Sequence, residues 1–148
     1  MVLPSRAATR NRLVAGVTYT TLGKLSVTGE YQYNGFALDQ SGWGALAGSP
    51  ATQLAYLREA LRLQELAPRR AYLIYVTQKS LGLNALGLKA YLRLNPADDS
   101  RLVWLELRHH WSRFGLSVQL QRNMGRAGSE FGILPDTRIF QVLGKYYF

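Results

Sequence analysis

Apolar and polar residues alternate at period two along most of the chain, in segments of about ten residues separated by turn chemistry, and this pattern predicts β-strands. Seven strands are expected, at 12–19, 25–34, 70–79, 86–95, 102–111, 114–123 and 138–148. The short breaks at 20–24, 80–84, 96–100 and 112–113 carry mostly the Gly, Pro, Asn and Asp of hairpin turns. Two connections are longer, 35–69 and 124–137. Within the first, Leu54, Leu57 and Leu61 recur at helical spacing, Ser49-Pro50 supplies an N-cap followed by proline, and Pro68 supplies a stop. A short amphipathic helix is therefore expected over 52–66.

Neighbouring side chains of a strand project to opposite sides, so the two sides can be read separately. One is apolar nearly throughout, for example Leu13, Ala15, Val17 and Tyr19 in the first strand and Val103, Leu105, Leu107, His109 and Trp111 in the fifth. The other is mostly polar and carries Arg12, Glu30, Lys89, Arg93, Glu106, Arg108 and Lys145. The segment 70–79 has aliphatics on both sides and does not declare its faces. A soluble sandwich alternates in the same way, but two details favour a bilayer. Ten-residue strands suit a tilted membrane-crossing strand, whereas strands of soluble domains cluster near five or six residues. If successive strands run up and down, Tyr19, Trp111, Phe114, Tyr146 and Phe148 collect at one rim and Tyr31, Tyr33 and Phe140 near the other. Rings sorted to two levels form the aromatic girdles of a membrane barrel. The expected fold is all-β, an antiparallel transmembrane β-barrel with a short helix in an extracellular loop.

The last strand, Phe140-Gln141-Val142-Leu143-Gly144-Lys145-Tyr146-Tyr147-Phe148, resembles the C-terminal strand of bacterial outer-membrane β-barrels, porin-like proteins among them. The resemblance implies that Phe140, Val142, Tyr146 and Phe148 form the signal read by the barrel-assembly machinery. It also implies a Gram-negative outer-membrane location, with short turns in the periplasm and the 35–69 and 124–137 connections outside the cell. Residues 1–11 then begin outside, without a signal peptide, ahead of an odd number of strands. The expectation is that 1–148 forms a single β-barrel domain that is the C-terminal part of a larger barrel.

Composition trims the alternatives. The chain has no cysteine, which removes disulfides, thiol catalysis and cysteine-based zinc sites. The net charge of +9 invites a nucleic-acid reading, but the basic residues are scattered and form no single patch. Outer-membrane lipid is the better partner, with Arg6, Arg10, Arg12, Arg122 and Arg126 facing the phosphates of lipopolysaccharide. Lys89, Arg93 and Arg108 either form a cationic ladder that sets anion preference or pair with carboxylates to fill the lumen. Asp98 and Asp99 read as turn formers.

His110 and Ser112, with Glu106 four residues before the histidine, are similar to the His-x-Ser pair of outer-membrane lipid A deacylases. The expected topology places them at the periplasmic rim, facing inward and away from outer-leaflet lipid. The function expected is a passive pore for small solutes, with no enzymatic chemistry, metal or cofactor and no nucleic-acid partner. A lipid-modifying outer-membrane hydrolase and a soluble basic nucleic-acid-binding β-domain are the alternatives.

Overall fold

A computed structural model of the chain describes residues 11–46, 48–82 and 85–148. Seven strands, β1 (Arg12–Thr20), β2 (Leu25–Asn34), β3 (Arg70–Lys79), β4 (Leu86–Asn95), β5 (Ser100–His110), β6 (Phe114–Met124) and β7 (Arg138–Tyr146), form one antiparallel sheet in sequence order. The helices α1 (Gln40–Ala45) and α2 (Pro50–Arg62) both lie in the β2–β3 connection. The long connections share one end of the sheet, the loop end, with the tight 96–99 turn; the remaining turns lie at the opposite turn end. β5 starts two residues earlier than expected and β7 stops at Tyr146, although the Tyr147 N–H still donates to the Arg113 carbonyl (2.9 Å).

Register settles the faces. Tyr72, Ile74 and Val76 stand opposite Tyr31, Gly29 and Val27 on one neighbour and Leu94, Leu92 and Ala90 on the other, so they join the apolar side. Leu73, Tyr75, Thr77 and Lys79 therefore take the polar side.

Burial runs opposite to that of a soluble sheet. The buried strand residues, among them Asn34, Asn95, Ser100, Glu106, Ser117 and Asn123, all project to the polar side. The large exposed hydrophobics of the inner strands, such as Ile74, Val103, Leu107 and Leu120, all project to the apolar side. On the edge strands Val14 and Leu143 are exposed from the polar side as well, as is Tyr147 just beyond β7. The sheet thus shelters its polar side and leaves a broad apolar side uncovered.

The ring expected of a barrel is not closed. β1 pairs only with β2 and β7 only with β6, and all nine residues of β1 are exposed. Seven antiparallel strands send the first and last in the same direction, so direct closure would demand a parallel seam with a different, slanted hydrogen-bond pattern.

The helical excursion corrects two expectations. The Gly/Ser-rich stretch before Ser49 contains α1, which starts because the Asp39 carboxylate accepts from the Gly42 N–H (2.8 Å). α2 starts as expected, with Ser49 as N-cap and Pro50 in the first turn, but ends before Leu66. Gln64 adopts a left-handed φ of 54°, the Glu65 N–H donates to the Ala60 carbonyl (2.8 Å) and the Gln64 N–H to that of Leu61 (3.0 Å). These bonds form a Schellman stop without the glycine that usually signals one. Nor is the leucine stripe the most buried part of α2: Leu54 and Leu57 are half-buried and Leu61 is exposed, while Gln53 and Ala60 are buried.

Candidate functional site

The polar side of the sheet divides into three zones along the strands. At the loop end the connections fold over the rim and lock together. Glu130, carried by the β6–β7 connection, is buried and accepts from Arg93 Nη2 and Asn95 Nδ2 (both 3.0 Å). Its own N–H donates to the Asp98 carboxylate (2.7 Å), which also caps the Ser100 N–H (3.0 Å). The Arg93 guanidinium lies over the Phe131 ring, 5.6 Å from the centroid. Burial pushes the Glu130 carboxyl above its usual range and the Asp98 charge adds to that shift, while Arg93 and Asn95 oppose it.

The helices close on the same loop. Gln53, fully buried, donates to the Gly128 carbonyl (3.0 Å), as does the Trp43 indole (2.9 Å). Tyr56 donates to the Ala67 carbonyl (2.7 Å) and accepts from the Leu38 N–H (3.1 Å). The loop itself is tightly wound. A Cβ on Gly132 would lie 2.1 Å from the Arg126 carbonyl oxygen, and Gly128 takes a φ of 82°.

Aromatic and aliphatic residues cross the middle. Tyr75, Tyr91 and Trp104 stand in one row of register, with Tyr91 and Trp104 in ring contact at 6.0 Å.

Basic residues dominate the turn end. Glu106, only 4% exposed, is engaged by Arg108 Nη2 (2.7 Å) and Gln119 Nε2 (3.2 Å). Lys79, Lys89 and Lys145 are exposed on the same side and reach no carboxylate among the described residues. An open cleft of about 470 Å³ is bordered by Lys79, Lys89, Glu106, Arg108 and His110.

Every polar-side residue expected from the sequence is on that side, but in different circumstances. Arg12 sits at the loop-end rim, paired with Glu65 and stacked over Phe36 (4.9 Å). Glu30 accepts from Gln32 on its own strand. Arg93 and Arg108 are paired with Glu130 and Glu106, which withdraws two members of the ladder and leaves Lys89 and Lys145 with Lys79, a residue the ambiguous third segment concealed. Glu130, Gln53 and the anchoring role of Asp98 were also invisible, because all three act across loops far apart in sequence.

The histidine–serine arrangement does not assemble. Glu106 is held by Arg108 and Gln119 rather than by His110, which packs edge-on against Tyr147 at 5.1 Å. Among the described residues no hydrogen bond joins His110 to Ser112. Phe140, Val142, Tyr146 and Phe148 are all exposed, and the Tyr146 and Phe148 rings meet edge-on at 5.2 Å. Arg6 and Arg10 lie outside the described residues. In comparisons with known proteins the chain matches no family, no curated protein and no solved structure.

Proposed function

We propose that this chain forms part of the wall of an antiparallel transmembrane β-barrel in a Gram-negative outer membrane and serves as a passive pore for small solutes. The observation that carries the reading is the inverted burial: polar groups sheltered on one side, aliphatic and aromatic side chains exposed on the other. In water so large an uncovered apolar surface is a liability, whereas in a bilayer it is the required exterior. Dimensions support it. From Arg101 to Trp111 the chain rises roughly 33 Å at about 3.3 Å per residue, and a tilt near 45° converts this to about 23 Å, close to the ~25 Å apolar band of such barrels.

In this reading the loop end is extracellular and the locked connections roof part of the entrance. Solutes diffuse past the Tyr75–Tyr91–Trp104 row and then the unpaired lysines, without covalent chemistry. The edges β1 and β7 are completed by further antiparallel strands, odd in number, since an odd insertion alone gives both edges antiparallel neighbours. The barrel-assembly machinery engages the exposed aromatic residues of β7.

The test is conductance. Protein extracted in detergent from the outer membrane of producing cells is expected to give discrete ohmic steps in planar bilayers. Under a salt gradient the reversal potential should show anion preference, which Lys79→Glu, Lys89→Glu and Lys145→Glu together should reverse. Absence from that membrane, or a flat current trace, overturns the reading.

A further inference from the structure

We infer that Arg101, Arg122 and Arg138, flanked by Arg70, form a binding site for the phosphomonoester headgroups of a membrane lipid whose acyl chains lie along the apolar side of the sheet; this rests on the membrane-wall reading above. Register brings Arg101 and Arg138 beside Arg122, the one of these three that the sequence had placed toward lipid phosphates. Arg101 stands opposite Met124, two residues further out than Arg122, and Arg122 stands directly opposite Arg138. Arg70 ends the apolar side of β3 at the same, loop end. All four are exposed, and they are the only Lys, Arg, Asp or Glu on the apolar side of the seven strands.

Two features favour an external anion. Like charges directly opposite on neighbouring strands repel, so the Arg122–Arg138 pair, with Arg101 on the diagonal, is unfavourable by itself. Yet none of the four reaches a carboxylate among the described residues, whereas Arg12, Arg62, Arg69, Arg93, Arg108 and Arg126 all do. A dianionic phosphate bridging three guanidiniums removes the repulsion and uses their fork geometry.

What lies next to the cluster selects a lipid. Toward the turn end the apolar side continues as Val103, Leu105, Leu120 and Phe140, a surface for acyl chains and not for a polar ligand. Tyr31, Tyr33 and Tyr72 lie at the same loop end on β2 and β3, beyond β4 from the cluster, a level at which amphipathic rings meet headgroups. Two arginines expected from the sequence to meet lipopolysaccharide, Arg12 and Arg126, are instead paired with Glu65 and Asp99.

Flotation with vesicles tests the site. Protein extracted from membranes is mixed with phosphatidylcholine vesicles containing either diphosphorylated lipid A or the same lipid stripped of its phosphates. Stronger association with the phosphorylated vesicles is expected, roughly fivefold per arginine and on the order of 100-fold for three. Arg101→Gln, Arg122→Gln and Arg138→Gln together should abolish that preference, while the corresponding Lys variant, which keeps charge and fold but loses the bidentate fork, should retain part of it. Arg58→Gln with Arg113→Gln, which removes charge elsewhere, should retain all of it. Equal association of the wild type with both vesicles, or an undiminished preference in the triple Gln variant, overturns the site while leaving the wall reading intact. Association with neither vesicle overturns the wall reading and the site with it.

Discussion

Glu130 shows how one buried carboxyl can set the strength of a loop closure. Its pKa is raised in the folded state, chiefly by burial, so the folded form holds its proton at pH values where the unfolded form has lost it. Its contribution is therefore most favourable below the unfolded carboxyl pKa and is lost as pH rises through the raised folded value. Amide protection at Gly132 and Ile133, which donate to Ser129 in the same loop, is expected to fall over that interval after correction for intrinsic exchange. Glu130→Gln should flatten the profile. Gly132→Ala should open the loop at every pH, because its Cβ would meet the Arg126 carbonyl oxygen at 2.1 Å; loss of the same protection checks it. Facing makes a second contrast, between adjacent residues. Leu105→Arg, on the apolar side in mid-strand, should cost about 2–4 kcal/mol in a refolding titration in lipid. Glu106→Gln should cost about 1 kcal/mol, since the amide can keep its bond to Gln119 while Arg108 is half-exposed and rehydrates. The reverse ranking would show the two sides exchanged.

Among the elements, β7 ends in an uncovered aromatic pattern, with Phe140, Val142, Tyr146 and Phe148 all exposed on the apolar side. Removing Phe148 takes away no ladder hydrogen bond of β7, because the strand ends at Tyr146. Truncation is therefore expected to leave strand content by circular dichroism unchanged while sharply reducing the yield inserted into the outer membrane. Equal inserted yields would remove the role in assembly. α2 illustrates a different balance. Its start was legible because Ser49 and Pro50 are local signals, but its end depends on Gln64 adopting the left-handed region, which is rare for a residue with a side chain. Its buried face was misread for a reason of length scale: Gln53 is buried by hydrogen bonding to Gly128, 75 positions away, and not by its own hydropathy.

For the whole molecule the decisive property is the pair of free edges. The isolated chain is expected to refold in detergent without forming a compact, heat-modifiable monomer, and protease should cut first in β1, where every residue is exposed. A protease-resistant band whose gel mobility changes on boiling would instead show a self-contained ring. Strand number, alternation and polar or apolar facing were written in the sequence, since they depend only on neighbours one and two positions apart. The third segment escaped because Leu73, Ile74, Tyr75 and Val76 place hydrophobics on both sides, and only pairing with Val27 and Ala90 assigned Val76. Charge pairing escaped for the same reason. Whether Arg93 or Lys89 is the free cation depends on Glu130 arriving from a loop 37 residues beyond Arg93, and the cluster of Arg101, Arg122 and Arg138 exists only through the register of three strands. Sequence by itself determined the number of strands and, for six of the seven, which side is polar and which apolar, a matter of local alternation. Tertiary structure alone decided which charges are paired and which are not, the faces of the third strand, and that the sheet stays open, because each of these depends on groups that chain folding brings together from distant positions.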